Sequence, residues 1–304
     1  MRSIGSFLFA AGLKIMNRKQ YWEKTEEEFL DAIRKKREKG TESPPKWVIK
    51  RKNSQRCEWE GHIYYRIHSS KRKPVPIIFY FHGGGYVNRI TFFHWTFLRK
   101  IAKKAEVEFI VPLYPLAPTF QHAYTFSWIN HLYSFITEGK KCPVIIMGDS
   151  AGGGMALAFA QLLKVLKKDP PQKIILISPW LDATLTHPSL KKLAETDFFL
   201  ALPGLKSAAA LYAGDCLADR CHLVSPIIGD LDVGPLCVIG GSHDLLSCDA
   251  RRLIKIAEIR NIFVEYVEFP GMMHVFPLFF FRESRQARKW IVERINASGN
   301  RRSD

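Results

Sequence analysis

The 304-residue chain reads as an α/β protein: a mostly parallel, doubly wound sheet flanked by helices, with a helical cap. Two observations predict this. Short apolar runs rich in β-branched and aromatic residues recur from Pro76 onward, as strands buried on both faces require. Helix-like segments lie between them, which is the pattern of parallel strands joined by crossovers.

Residues 1–45 form an N-terminal cap segment in this reading, and 46–304 the main domain. Ile4, Phe7, Leu8, Ala11 and Ile15 recur near helical spacing and predict an amphipathic helix, placed either on a membrane or over a pocket. Thr25-Glu26-Glu27-Glu28 opens a second helix with a capping-box pattern, and Gly40 to Pro45 is a breaker cluster. Two strand-like runs follow, Trp47 to Lys50 and Ile63 to Ile67. The buried-strand runs are Ile77 to Phe81, Phe109 to Val111, Val144 to Met147, Ile174 to Ile177, Leu236 to Ile239 and Phe263 to Val267. Gly152 to Lys167 and Asp249 to Ile259 are helical candidates. Residues 182–225 interrupt the alternation and read as a helical insertion covering the carboxyl edge of the sheet.

The net charge of +16 is concentrated at the ends. Residues 1–75 hold 19 Lys+Arg against 9 Asp+Glu, and residues 276–304 hold 7 against 3, so the body is almost neutral. Solvated, Lys-rich terminal helices are the simpler reading, and an anionic partner is the sharper one. No zinc-finger spacing, RNA-binding aromatic signature or basic recognition helix is present, which excludes nucleic acid as a partner. The apolar N-terminal segment is too short to span a bilayer and lacks a clear cleavage site. It is a candidate for weak membrane-surface contact, and a homodimer is left open. Cys57, Cys142, Cys216, Cys221, Cys237 and Cys248 form no Cys-x-x-Cys pair, so neither a disulfide framework nor a metal site is expected, and a cytoplasmic location suits the thiols.

Chemistry enters with Gly148-Asp149-Ser150-Ala151-Gly152, which follows a strand and opens a helix. A serine on so tight a turn leaves no room for side chains two residues away, and glycine at 148 and 152 meets that demand. The Ala151 amide, in the helix's first turn, then points where a carbonyl oxygen would gain charge. Upstream, His82-Gly83-Gly84-Gly85-Tyr86 follows another strand, and the amides of Gly83, Gly84 and Gly85 can join that of Ala151 in an oxyanion hole. No Gly-Lys-Ser/Thr or Gly-x-Gly-x-x-Gly context supports a phosphate loop instead. His82 reads as a residue that orients the loop.

A serine hydroxyl needs a base, and the base needs an acid to hold its tautomer. Asp244 follows the Leu236 to Ile239 strand and His274 follows the last strand, so both reach the carboxyl edge that presents Ser150. Asp249 is the reserve acid. Tyr86, Phe92, Phe198 and Phe199 are the candidate substrate-binding residues, with Trp95, Phe93 and Phe279 to Phe281 as further aromatic positions; aromatic stripes are also the usual material of a core.

These motifs together resemble the hormone-sensitive-lipase-like branch of the α/β-hydrolases, the bacterial esterases with a His-Gly-Gly-Gly loop ahead of Gly-Asp-Ser-Ala-Gly. The resemblance covers roughly residues 60–290 and includes Tyr114-Pro115-Leu116-Ala117-Pro118, Ser178-Pro179-Trp180-Leu181-Asp182, Val224-Ser225-Pro226 and Gly271-Met272-Met273-His274. It implies the α/β-hydrolase fold, cofactor-free carboxylic ester hydrolysis through Ser150, His274 and Asp244, and a cap built from the N-terminal helices plus the insertion. Two departures stand out. Leu113-Tyr114-Pro115-Leu116-Ala117-Pro118-Thr119 lacks the Asp, Arg and Glu common in the family, and Leu245-Leu246 follows the acid where Pro-Leu is common. Bulky pocket candidates favour a small-to-medium acyl or aryl ester as substrate. An amidase or deacetylase with the same triad is the alternative. A non-catalytic receptor on this fold, as with the plant gibberellin receptors, is disfavoured because His274 is present.

Overall fold

The structure, a computed structural model, describes residues 3–39, 43–46, 53–68, 75–139, 142–216 and 218–297. The strand-like run Trp47 to Lys50 lies outside the described residues. Eight strands are present among them: β1 (Ser54–Trp59), β2 (His62–His68), β3 (Ile77–Phe81), β4 (Glu108–Pro112), β5 (Val144–Asp149), β6 (Lys173–Ile177), β7 (Leu236–His243) and β8 (Val264–Met273). They form one sheet in the order β1-β2-β4-β3-β5-β6-β7-β8. β1 pairs antiparallel with β2, and β2 antiparallel with β4; every pairing from β4 to β8 is parallel. Each apolar run read from the sequence falls within one of these strands, apart from Phe263, which immediately precedes β8.

The helices are α1 (Ile4–Ile15), α2 (Glu26–Lys39), α3 (Phe92–Ala105), α4 (His122–Thr137), α5 (Ala151–Val165), α6 (Leu190–Thr196), α7 (Leu202–Ala213), α8 (Ser247–Ile259) and α9 (Arg282–Asn296). The sheet separates two apolar layers. One packs α4, α5 and α8 against side chains such as Phe79, Ile146 and Leu176. The other packs α3 and α9 against Tyr80, Met147 and Ile175. Full burial of one such side chain contributes about 1.5–3 kcal/mol, so both layers stabilise the frame that carries the β3, β5, β7 and β8 loops.

Above the carboxyl edge, the N-terminal segment and the insertion between β6 and β7 form a two-part cover. The Gly204 amide donates to the Trp22 carbonyl at 2.7 Å, and a Cβ at Gly204 would strike Trp22, so α7 sits close against the N-terminal segment. The Lys19 ammonium reaches the Ala194 and Asp197 carbonyls at 2.6 and 2.8 Å. The first turn of α2 is fixed as its sequence suggests: Glu28 accepts from the Thr25 amide at 3.1 Å and hydroxyl at 3.2 Å.

Candidate active site

β5 ends at Asp149 and α5 starts at Ala151, which leaves Ser150 alone to turn the chain. Its backbone stands at φ 54°, ψ −124°, a strained conformation for a residue with a side chain. The turn is held by the Ser150 amide donating to Ile177 at 2.9 Å and by its carbonyl accepting from Gly154 at 3.1 Å and Trp180 at 3.0 Å. A Cβ at Gly148 would run into the Gly152 carbonyl, and one at Gly152 into the Phe81 carbonyl. Both glycines are therefore steric requirements of the turn.

Three side chains from three strand ends meet here. His274 Nε2 lies 2.9 Å from Ser150 Oγ. His274 Nδ1 lies 3.0 Å from both Asp244 oxygens, so its proton belongs on Nδ1 and Nε2 is left to accept from the serine. Asp244 Oδ1 also accepts from the Leu246 amide at 2.9 Å. Asp244 and His274 are buried. Burial disfavours the imidazolium, but the Asp244 carboxylate outweighs it, helped by Asp197 and Asp149, and the His274 pKa is raised above 6.5.

The oxyanion loop needs a correction at Gly83. Its amide donates to Asp149 Oδ1 at 3.0 Å and is turned into the protein, away from any substrate. The amides of Gly84, Gly85 and Ala151 have no such acceptor among the described residues. Gly84 and Gly85 stand at φ 124° and 63°, and the Asn88 amide and side chain both donate to the Gly84 carbonyl at 2.9 Å. A Cβ at Gly85 would meet the Trp22 ring, so the N-terminal segment closes directly over this loop. His82 donates from Nδ1 to the Gly83 carbonyl at 2.7 Å and stacks on Tyr114 with centroids 4.4 Å apart. Burial, with His94 nearby, drives its pKa down to about 4, so it remains neutral and orients the loop.

Asp149 is the hub that sequence reasoning missed. Beyond Gly83 it accepts from the Tyr80 hydroxyl at 2.5 Å and faces His94 Nε2 at 3.3 Å. His94 Nδ1 accepts from the Thr91 amide at 3.1 Å, which assigns the ring proton to Nε2, facing the carboxylate. Burial works against this carboxylate, yet His94, Tyr80 and the Gly83 amide hold its pKa below the usual value. Thr91 and His94, spaced as N-cap and third residue of α3, carried a signal for this in the sequence.

Asp197, at the end of α6, is the second missed residue. Its Oδ1 accepts from the Phe199 and Leu200 amides at 2.6 and 2.9 Å, and its Oδ2 from the Leu245 amide at 2.7 Å. Burial, with Asp244 close by, raises its pKa to about 6. The Leu245 bond uses an N–H that proline, common at this position in the family, does not have. At the other departure, the Arg37 guanidinium, from α2, donates to the Val87 carbonyl at 2.8 Å and to the Ala117 carbonyl. Asp249 is no reserve acid, since its Oδ2 accepts from the Leu181 and Asp182 amides at 2.8 and 3.0 Å.

A cavity of about 1210 Å³ opens over Ser150 and His274. Phe92 and Phe199 line it, together with Leu13, Phe93 and Phe279. Tyr86 does not: it is buried, with its ring stacked 3.8 Å from Tyr212, because the turn at φ 62° sends it into the core. Phe198 is also off the cavity wall, nearly buried beneath the Lys14 ammonium, 5.5 Å from its ring centroid.

A family model described as the alpha/beta hydrolase fold matches residues 78–278. An esterase of Acinetobacter venetianus is 32% identical over 224 residues, covering 72% of this chain and 74% of the relative. The crystal structure of EstE5 soaked with p-nitrophenyl butyrate superposes with a TM-score of 0.74 at 25% identity, over 89% of this chain and 98% of that one. An esterase from the bacterial hormone-sensitive lipase family has the same fold, with a TM-score of 0.81 at 23% identity, covering 99% of this chain and all of the other. The chain belongs to the alpha/beta hydrolase family. Within that family it is a serine carboxylesterase.

Proposed function

We propose that Ser150 Oγ attacks the ester carbonyl as His274 Nε2 takes its proton, with Asp244 holding the imidazole. The amides of Gly84, Gly85 and Ala151 receive the oxyanion. His274 then returns the proton to the leaving alkoxide, and water, activated by the same imidazole, releases the acid from the acyl-enzyme. The observation that carries this reading is the 2.9 Å approach of His274 Nε2 to Ser150 Oγ, with both Asp244 oxygens behind Nδ1.

The substrate is a small-to-medium acyl or aryl ester. The Phe199 ring lies 5.8 Å from the His274 imidazole, and Phe279, 6.3 Å further on, continues an aromatic wall away from the serine. This wall suits the acyl or aryl portion, and the rest of the cavity, which extends to α1 and α2, takes the alcohol portion. A series of p-nitrophenyl esters of increasing acyl length, run beside matched anilides, tests both points. The expected kcat/KM peaks at short to medium acyl groups and is far lower for anilides. A peak at long chains would overturn the size assignment, and parity with anilides would make the enzyme an amidase.

A further inference from the structure

The apolar face that predicts an amphipathic α1 is not the side of the helix buried in the protein. Ser6, Ala10 and Leu13 form its buried side, while Ile4, Phe7, Leu8 and Ile15 are 80%, 64%, 63% and 85% exposed, and Met16 just past the helix is 63% exposed. At 100° per residue, Ile4, Phe7, Leu8, Ala11 and Ile15 share one face, opposite the buried one. A helix that is apolar on both sides has a second apolar surface still to satisfy. It is not free to turn that surface inward: the Ser3 hydroxyl and amide bond Glu283 of α9 at 2.6 and 2.5 Å.

The surroundings of this face are cationic. Residues 3–22 contain Lys14, Arg18 and Lys19 and no acidic residue. Next to α1, Phe9 meets Phe93, and Phe93 meets Phe280, which is 41% exposed and carries the Lys100 ammonium 4.4 Å above its ring. Burial and then the charges of Arg288, Arg99, Arg285 and Lys104 push the Lys100 pKa down to about 8. Leu8 and Met16 also line the catalytic cavity, so the exposed apolar strip runs into its mouth.

We propose that the outer face of α1, with the cationic fringe of α3 and α9, docks on an anionic lipid surface and sets the cavity mouth against it. Apolar side chains enter the headgroup boundary while lysines and arginines meet lipid phosphates, the arrangement of an interfacial helix. No helix among the described residues is long and apolar enough to cross a membrane, so the contact is a surface one. Esters dissolved in the lipid then reach Ser150 without passing through bulk water. Only this last consequence rests on the proposed ester chemistry; the docking itself does not.

Flotation of the full chain with vesicles tests the proposal, using phosphatidylcholine alone and phosphatidylcholine mixed with phosphatidylglycerol. The chain is expected to float with the anionic vesicles, to bind the neutral ones at least tenfold more weakly, and to be released by added salt. The double variants Phe7→Ser/Ile15→Ser and Lys100→Gln/Arg285→Gln each lose at least tenfold in binding, yet hydrolyse a soluble ester at the wild-type rate without vesicles, which also reports that they fold. Ser150→Ala binds like the wild type, so loss of the chemistry and loss of docking are read separately. Equal binding to both vesicle types, no binding to either, or variants that bind unchanged would overturn the proposal. So would a concentration-dependent dimer abolished by Phe7→Ser/Ile15→Ser in a chain that ignores vesicles, since a second copy would then own the face.

Discussion

Replacing Asp249 with asparagine should leave hydrolysis intact and make the fold more stable in alkaline solution. Asp249 is buried at the start of α8, and burial, with Asp182 nearby, raises its pKa from 3.8 to about 7 against the pull of two backbone amides. A carboxyl whose pKa is raised on folding binds its proton more tightly in the native state. Its contribution to stability is therefore complete below about pH 4 and declines as pH rises through about 7. A shift from 3.8 to about 7, at about 1.4 kcal/mol per unit, makes the full cost of ionisation about 4 kcal/mol, of which about 3 falls between about pH 5 and pH 8.5. Asparagine keeps the carbonyl oxygen that accepts from Leu181 and Asp182 and turns its NH2 toward Cys248 Sγ, which lies 3.7 Å from the other oxygen. Urea unfolding of both proteins at the two pH values isolates the effect, because the two chains differ only at this carboxyl. The stability difference, variant minus wild type, should grow by about 3 kcal/mol toward alkaline pH, with ester hydrolysis retained. A difference that does not change with pH would refute the reasoning, and loss of hydrolysis would return Asp249 to the catalytic machinery.

Four further outcomes are expected. In the proposed reaction the base form of His274 is the active one, and its pKa is raised, so kcat/KM should fall as pH drops through an inflection above 6.5. Asp197→Asn should move that inflection downward by removing a nearby negative charge, and should cost about 1–3 kcal/mol in stability because an NH2 group would then face the Leu245 amide. Leu245→Pro removes the donor instead, leaving the carboxylate in place, and should lower kcat through a shifted Asp244 while keeping the inflection above 6.5. Gly152→Ala should abolish hydrolysis and destabilise the fold by about 3 kcal/mol or more on thermal unfolding, since the added methyl has only the Phe81 and His82 backbone to push against.

The sequence makes the sheet and the three side chains of the proposed triad legible for a common reason. A strand buried on both faces must be apolar throughout, and a serine at a strand-to-helix turn must have glycines at either side, so both leave local marks. Asp244 and His274 could be placed because each follows such a strand. The supporting residues leave no mark of that kind. Asp149 gathers Tyr80, Gly83 and His94 across up to 69 positions of chain, and Asp197 reaches Leu245 across 48, so only the folded chain joins them. The same holds for direction. The sequence marks Tyr86, Phe92, Phe198 and Phe199 alike as bulky and aromatic. A positive φ at 86 and the packing at 198 take two of the four away from the cavity. Gly83 differs from Gly84 and Gly85 only in which way its amide turns, which the Asp149 carboxylate decides. On α1 the period of the apolar residues was readable, but not which side of the helix the protein would cover.

In the proposed reaction Ser150, activated by His274, carries the acyl group. Hydrolysis of p-nitrophenyl butyrate by Ser150→Ala, measured beside the wild type at equal folded concentration, tests it most directly. The expected kcat is lower by at least about 10³-fold, with only the residual rate that the oxyanion amides and binding can supply. Hydrolysis at a rate close to that of the wild type would contradict it.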